Sequence, residues 1–244
     1  MSVPTTPAPL MLPGQAAAPE GPADLTMMYV LHHAFRRDLD DFVDAAGRLP
    51  IGDREAWRRL ADRWATFGVL LHDHHTKEDK YLWPLLIAKA TRADDHAALD
   101  VLAEMEAEHA SIDPLLASVS DTLQRLVEAD DEEARAALVV ALARTRENLG
   151  GHLSHEERDA IAILQRHVGG AEWAELEAKK FRGGMTFAQV RVLVPWAYKG
   201  LSAEATAHVD KTAGPPFRLI NRLGRKKFLR SDSAAFGLVA GGRS

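Results

Sequence analysis

The chain has 244 residues and no cysteine, with a hydrophobic content of 46% and a formal net charge of −5 at pH 7. That composition suits a globular protein with a sizeable core. It excludes disulfides, iron–sulfur clusters, thiolate zinc and cysteine nucleophiles, so any metal must be held by nitrogen and oxygen, which suits iron, manganese or zinc.

The mild charge argues for neither nucleic acid nor an acidic partner. No run of about 18 apolar residues spans a membrane. With no basic-then-apolar leader at the N-terminus, the expected location is cytoplasmic.

Residues 1–23 hold Pro4, Pro7, Pro9, Pro13, Pro19 and Pro22 among alanines and glycines, which predicts a flexible tail. A helix is expected from about Ala23 to Ala46, with the apolar stripe Leu25, Met28, Tyr29, His32, Phe35, Leu39 and Phe42. A second runs from Asp53 to about Lys89, with Pro84 expected to kink it. A third covers about Ala93 to Glu128 and carries Pro114. A fourth runs from about Asp131 to Val168 and stops at Gly169-Gly170. The short connections favour antiparallel neighbours, and hairpin signals are missing. The expected fold is all-α: an up-down antiparallel four-helix bundle over residues 24–168.

Residues 169–244 form a C-terminal extension of different character, basic and aromatic, with Trp173, Trp196 and Tyr198 among short apolar runs. Between residues 212 and 230 stand Arg218, Arg222, Arg225, Lys226, Lys227 and Arg230 with no acid. This segment is expected to lie over the bundle, to make peripheral contact with an anionic membrane through Phe217, Ile220, Leu223 and Phe228, or to meet a partner protein. No recognition motif accompanies the charge, so nucleic acid is not expected.

Two copies of one spacing carry the chemistry: His74-x-x-x-Glu78 and His152-x-x-x-Glu156. Residues four apart share a helix face, so each pair aims an imidazole and a carboxylate at one point. His32 and His109 add one histidine from each remaining helix. Depth agrees as well. His74 lies 18 residues before Arg92 and His109 lies 17 after it; His109 lies 21 before Asp130 and His152 lies 22 after it. At about 1.5 Å per residue, antiparallel helices deliver these side chains to one level. Each also falls in its apolar stripe, where an unpaired carboxylate costs several kcal/mol. Four histidines and two glutamates are the ligand set of a carboxylate-bridged dinuclear metal centre.

The segments His32-His33-Ala34-Phe35-Arg36-Arg37, His74-His75-Thr76-Lys77-Glu78, Glu108-His109 and His152-Leu153-Ser154-His155-Glu156-Glu157 resemble the hemerythrin-like, or HHE cation-binding, domain, in its bacterial H…HxxxE…H…HxxxE form. The resemblance covers about residues 24–168. It implies two iron ions bridged by Glu78, Glu156 and an oxo or hydroxo group, with His32, His74, His109 and His152 as terminal ligands.

One departure stands out. The oxygen-carrying members have a second histidine four residues before His109, where this chain has Met105. Glu104, Glu106, Tyr29, His33, His75 and His155 are the candidates to fill the gap. His33, His75 and His155, which flank ligands, are expected to support them or to lie at the surface. His72, His96, His167 and His208 are read as surface residues.

The resemblance therefore implies a non-haem diiron protein that binds or reacts with hydrogen peroxide, nitric oxide or dioxygen, with access past Met105. Whether it turns over, as a diiron oxidoreductase in oxidative or nitrosative stress, or instead senses iron, oxygen or redox state, stays open at this stage. A mononuclear or zinc-filled structural site is the third reading.

Overall fold

The computed structural model describes residues 8–183 and 185–237, and among these the regular structure is helical throughout. Helix α1 spans Thr26–Arg48, α2 Arg54–Lys77, α3 Trp83–Arg92, α4 His96–Glu128, α5 Glu132–His155 and α6 Ile161–His167. Three of the starts follow from local chemistry. Asp53, Asp95 and Asp131 each accept a hydrogen bond from the backbone N–H three residues on, satisfying a donor that the first turn leaves open. Pro114 is carried inside α4 without ending it.

The second and fourth predicted helices each contain a π-turn that the sequence did not announce. Glu78–Leu82 joins α2 to α3, and Glu156–Ala160 joins α5 to α6. Pro84 stands at the second residue of α3, directly after the first π-turn, so the helical ladder is irregular where the proline removes an N–H donor. The bundle closes with α1 against α5, α5 against α4 and α4 against α2.

The N-terminal segment is a correction. Residues 1–7 of the expected tail lie outside the described residues, but residues 8–23 pack on the bundle. Leu12 and Ala23 are buried. The Pro13 carbonyl lies 3.2 Å from His33 Nδ1, and Ala23 exchanges two hydrogen bonds with the Gln165 side chain. Prolines remove backbone donors but leave carbonyls and apolar rings that an existing surface can take up.

The extension folds as α7 (Gly170–Leu176), a third π-turn (Glu177–Phe181), α8 (Phe187–Tyr198), α9 (Ala203–Ala213) and α10 (Pro215–Ala235). It lies over the α1–α2 face. Trp196 is fully buried, with its ring centroid 5.0 Å from that of Phe35, and Phe236 meets Phe42 at 5.0 Å. A buried polar knot ties the layers together. Asp38 of α1 accepts from Trp196 Nε1 at 2.7 Å and from Arg63 of α2; Arg63 also donates to Asp232 at 3.1 Å, and Lys199 reaches Asp232 at 2.6 Å. In α10, Phe217, Ile220 and Phe228 pack inward, whereas Leu219 and Leu223 are 56% and 74% exposed among the basic residues.

Candidate metal centre

The two His-x-x-x-Glu pairs meet inside the bundle. His74 Nε2 lies 3.2 Å from Glu78 Oε1, and His32 Nε2 lies 3.3 Å from Glu156 Oε2. The ligand-capable atoms fall into two groups, each with all members within 4.8 Å of one another: His32, His74, Glu78 and Glu156 in one, His75, His109 and His152 in the other. Both glutamates stand between the groups. The second oxygen of Glu78 lies 3.7 Å from His109 Nε2, and Glu156 Oε2 lies 3.9 Å from His152 Nε2. All seven residues are buried, both glutamates completely.

Polar atoms at the centre lack partners. Nε2 of His32, His74 and His75 and all four oxygens of Glu78 and Glu156 are buried without a hydrogen bond among the described residues. Unmatched buried carboxylates cost several kcal/mol. The residues therefore fit a cation in each group, with nitrogen and oxygen donors of the kind that iron, manganese and zinc accept.

The profile of the hemerythrin HHE cation binding domain matches residues 23–164. The chain belongs to the hemerythrin HHE cation-binding family. No curated protein and no solved structure matches it.

Relative to the oxygen-carrying pattern of the hemerythrin family, the residue brought beside His109 and His152 opposite the gap at Met105 is His75. It is one of the six candidates offered by the sequence, where support of a ligand or a surface position was the favoured expectation. His75 is buried and stacks on His109, ring centroids 3.9 Å apart at 11°. Consecutive helix residues point about 100° apart, and α2 faces α1 on one flank and α4 on the other. Both His74 and His75 thus look inward, one toward each group. Four of the other candidates do not arrive. His33 turns toward Pro13, His155 is held by Glu108 at 2.9 Å, and Glu104 and Glu106 are exposed. The Tyr29 hydroxyl is buried without a partner, and burial first, then Glu157 and Glu156, pushes its pKa up.

Residues outside the two groups orient the histidines. His109 Nδ1 lies 2.7 Å from Asp79, His152 Nδ1 2.8 Å from Glu108, and His32 Nδ1 3.0 Å from Glu157. A carboxylate on Nδ1 fixes the proton there and leaves the Nε2 lone pair facing the centre. Glu157 is itself held by Arg36 at 2.7 and 3.0 Å and by the Ala16 N–H at 2.7 Å.

Asp79 and Glu157 directly follow the two motif glutamates. The repeat is in effect His-x-x-x-Glu followed by an acid, a signal present in the sequence and not read there. Both π-turns begin at the motif glutamates. Pro84 follows one of them, but no proline follows the other, so the shared feature is the ligand pair itself; π-turns concentrate at functional sites.

Electrostatics distinguishes the individual side chains, not the two groups. Burial, reinforced by the neighbouring histidines, holds His74 and His75 well below the ordinary histidine range, in the neutral form a metal requires. Burial works against charge on His32 too, but Glu156 and Glu157 outweigh it and hold it up at about 9. Burial, then Glu156 and Asp79, pushes Glu78 well up.

Among the described residues, no cavity is seen along the expected access path past Met105. Met105 is fully buried, and the cavity that reaches the centre arrives at His74, between the bundle and the extension. Two of the four histidines read as surface are only half-exposed. His167 lies 2.9 Å from Asp95 and His208 lies 3.0 Å from Thr26.

Proposed function

We propose that His32, His74, Glu78 and Glu156 hold one iron ion, that His75, His109 and His152 hold a second with Glu78 and Glu156 shared between them, and that this centre reacts with small oxidants: hydrogen peroxide, nitric oxide or dioxygen. The observation that carries the reading is the placement of both buried glutamates between two histidine groups.

Bound iron supplies electron transfer by cycling between its ferrous and ferric states. The chain supplies the rest. Asp79, Glu108 and Glu157 fix the imidazoles. The apolar residues packed around them keep water out and raise the strength of every charge interaction inside. Loss of either glutamate is expected to remove bound iron and peroxide consumption together. Oxygen evolution from added peroxide, measured on iron-loaded wild type and Glu156→Ala, tests this; turnover retained in the variant would refute the assignment. Absence of turnover in a fully loaded wild type would favour sensing.

The outward face of α10 supports a separate part of the reading, peripheral contact with an anionic lipid surface. Leu219 and Leu223 stand exposed among Arg218, Arg222, Arg225, Lys226 and Lys227, and each cation near such a surface contributes about 1 kcal/mol. Sedimentation with phosphatidylglycerol vesicles, reversed by salt, is expected; equal sedimentation with phosphatidylcholine alone would refute the electrostatic part.

A further inference from the structure

Where α7 and α8 lie over α1 and α2, they enclose a cavity of about 520 Å3. At about 30 Å3 per liquid water, that is the volume of some 17 waters, far more than a two-atom oxidant such as dioxygen or nitric oxide occupies. Its long walls are apolar, built by Met28 and Leu31 of α1, Leu70 of α2 and Leu193 of α8. The buried lining residues Phe35, His74 and Trp196 close the inner end, and Val69, 64% exposed, marks the mouth. The cavity therefore leads from solvent to the back of a proposed iron ligand.

The charges on its lining are already matched. Lys77 Nζ lies 2.6 Å from Asp73 and donates to the Phe181 carbonyl at 3.0 Å, while Arg182 pairs with Glu177 at 2.9 Å. A carboxylate or phosphate headgroup entering here would have to break one of these pairs. Arg182 Nε, on the same lining, is buried without a partner among the described residues, a donor suited to a neutral carbonyl or hydroxyl oxygen.

We propose that this cavity binds an uncharged, mainly apolar molecule of drug-like size, as pockets of this volume do, with a carbonyl or hydroxyl oxygen for Arg182 Nε and its inner end against His74. The cavity is built by the extension as much as by the bundle, and its occupation requires no metal, so it stands or falls independently of the iron reading.

The test uses the full chain, metal-free and iron-loaded, with N-phenyl-1-naphthylamine, an uncharged probe that fluoresces in apolar surroundings. Saturable binding at one site per chain is expected, with displacement by decan-1-ol at least about tenfold stronger than by decanoate at pH 8, a difference of about 1.4 kcal/mol. Leu70→Trp and Leu193→Trp fill the cavity from opposite walls. Each is expected to weaken the probe at least about tenfold with unchanged circular dichroism and iron content, and either one that folds suffices. Absence of saturable binding to wild type would overturn the proposal. Wild-type binding in the folded variants would do the same, placing the probe elsewhere, such as the exposed face of α10. Equal displacement by decanoate would overturn the requirement for a neutral ligand. Probe binding that persists in a chain unable to hold iron would leave this site standing and refute the metal reading alone.

Discussion

His75 and Glu157 show how single residues decide what the centre can hold. His75 stacks on His109 within the three-histidine group, so His75→Ala is expected to lower iron content from two per chain toward one and to spare the fold, since a small side chain replaces one that lacks a hydrogen bond at Nε2. Glu157 acts through His32, whose Nδ1 it holds at 3.0 Å. Glu157→Gln is expected to weaken iron affinity by about 10–100-fold while saturating iron still fills both groups; metal titration against a competing chelator reads both effects. The two His-x-x-x-Glu pairs were legible in the sequence as one-faced clusters because their spacing is a property of a single helix. His75 was legible only as one of six candidates, because a residue one step from His74 faces inward only when its helix is flanked on both sides, which spacing along one chain segment does not reveal.

Helices and their junctions were legible to different degrees. The four long periodic patterns, the Asp53 and Asp131 starts and the Gly169-Gly170 stop all correspond to observed features, since periodicity and caps are local. The π-turns at Glu78 and Glu156 were not legible, because a wider i→i+5 turn is made by backbone hydrogen bonds and carries no cap or breaker residue of its own. Deleting the exposed Lys80 tests the turn at Glu78. The residues beyond it would rotate by about 100°, carrying Leu82 and Leu86, both buried, out of the core. At about 2–5 kcal/mol for each buried leucine lost, the variant is expected to lose most of its stability and its iron, as read by urea denaturation; a wild-type midpoint would contradict the core role of this turn.

Across the whole molecule, the extension and the N-terminal segment act as part of the bundle. Composition marked both as different but could not show what they cover, since their partners lie far away in sequence. The buried knot of Asp38, Arg63, Trp196 and Asp232 is the tie most open to test. Burial opposes charge on Asp38, but Arg63 first, then Arg37 and Lys199, outweigh it and hold its carboxyl below the usual range. A carboxyl whose folded pKa is depressed contributes stability that is fully present above its unfolded value of about 3.9 and is lost as pH falls through the folded value. Asp38→Asn is therefore expected to cost about 3 kcal/mol at pH 7, the low end for a broken buried pair because Asp232 still faces Arg63, and to flatten the acid dependence below about pH 4. Urea denaturation followed by tryptophan fluorescence at pH 7 and pH 3 reads both; an equal cost at the two pH values would contradict the role of this charge.

The most direct test of the centre is the iron-to-protein ratio, by elemental analysis, of iron-loaded wild type beside His75→Ala and Glu78→Ala. Two irons per chain in wild type, about one in His75→Ala and almost none in Glu78→Ala are expected. One metal per chain in wild type, or an undiminished ratio in His75→Ala, would contradict a two-iron centre completed by His75.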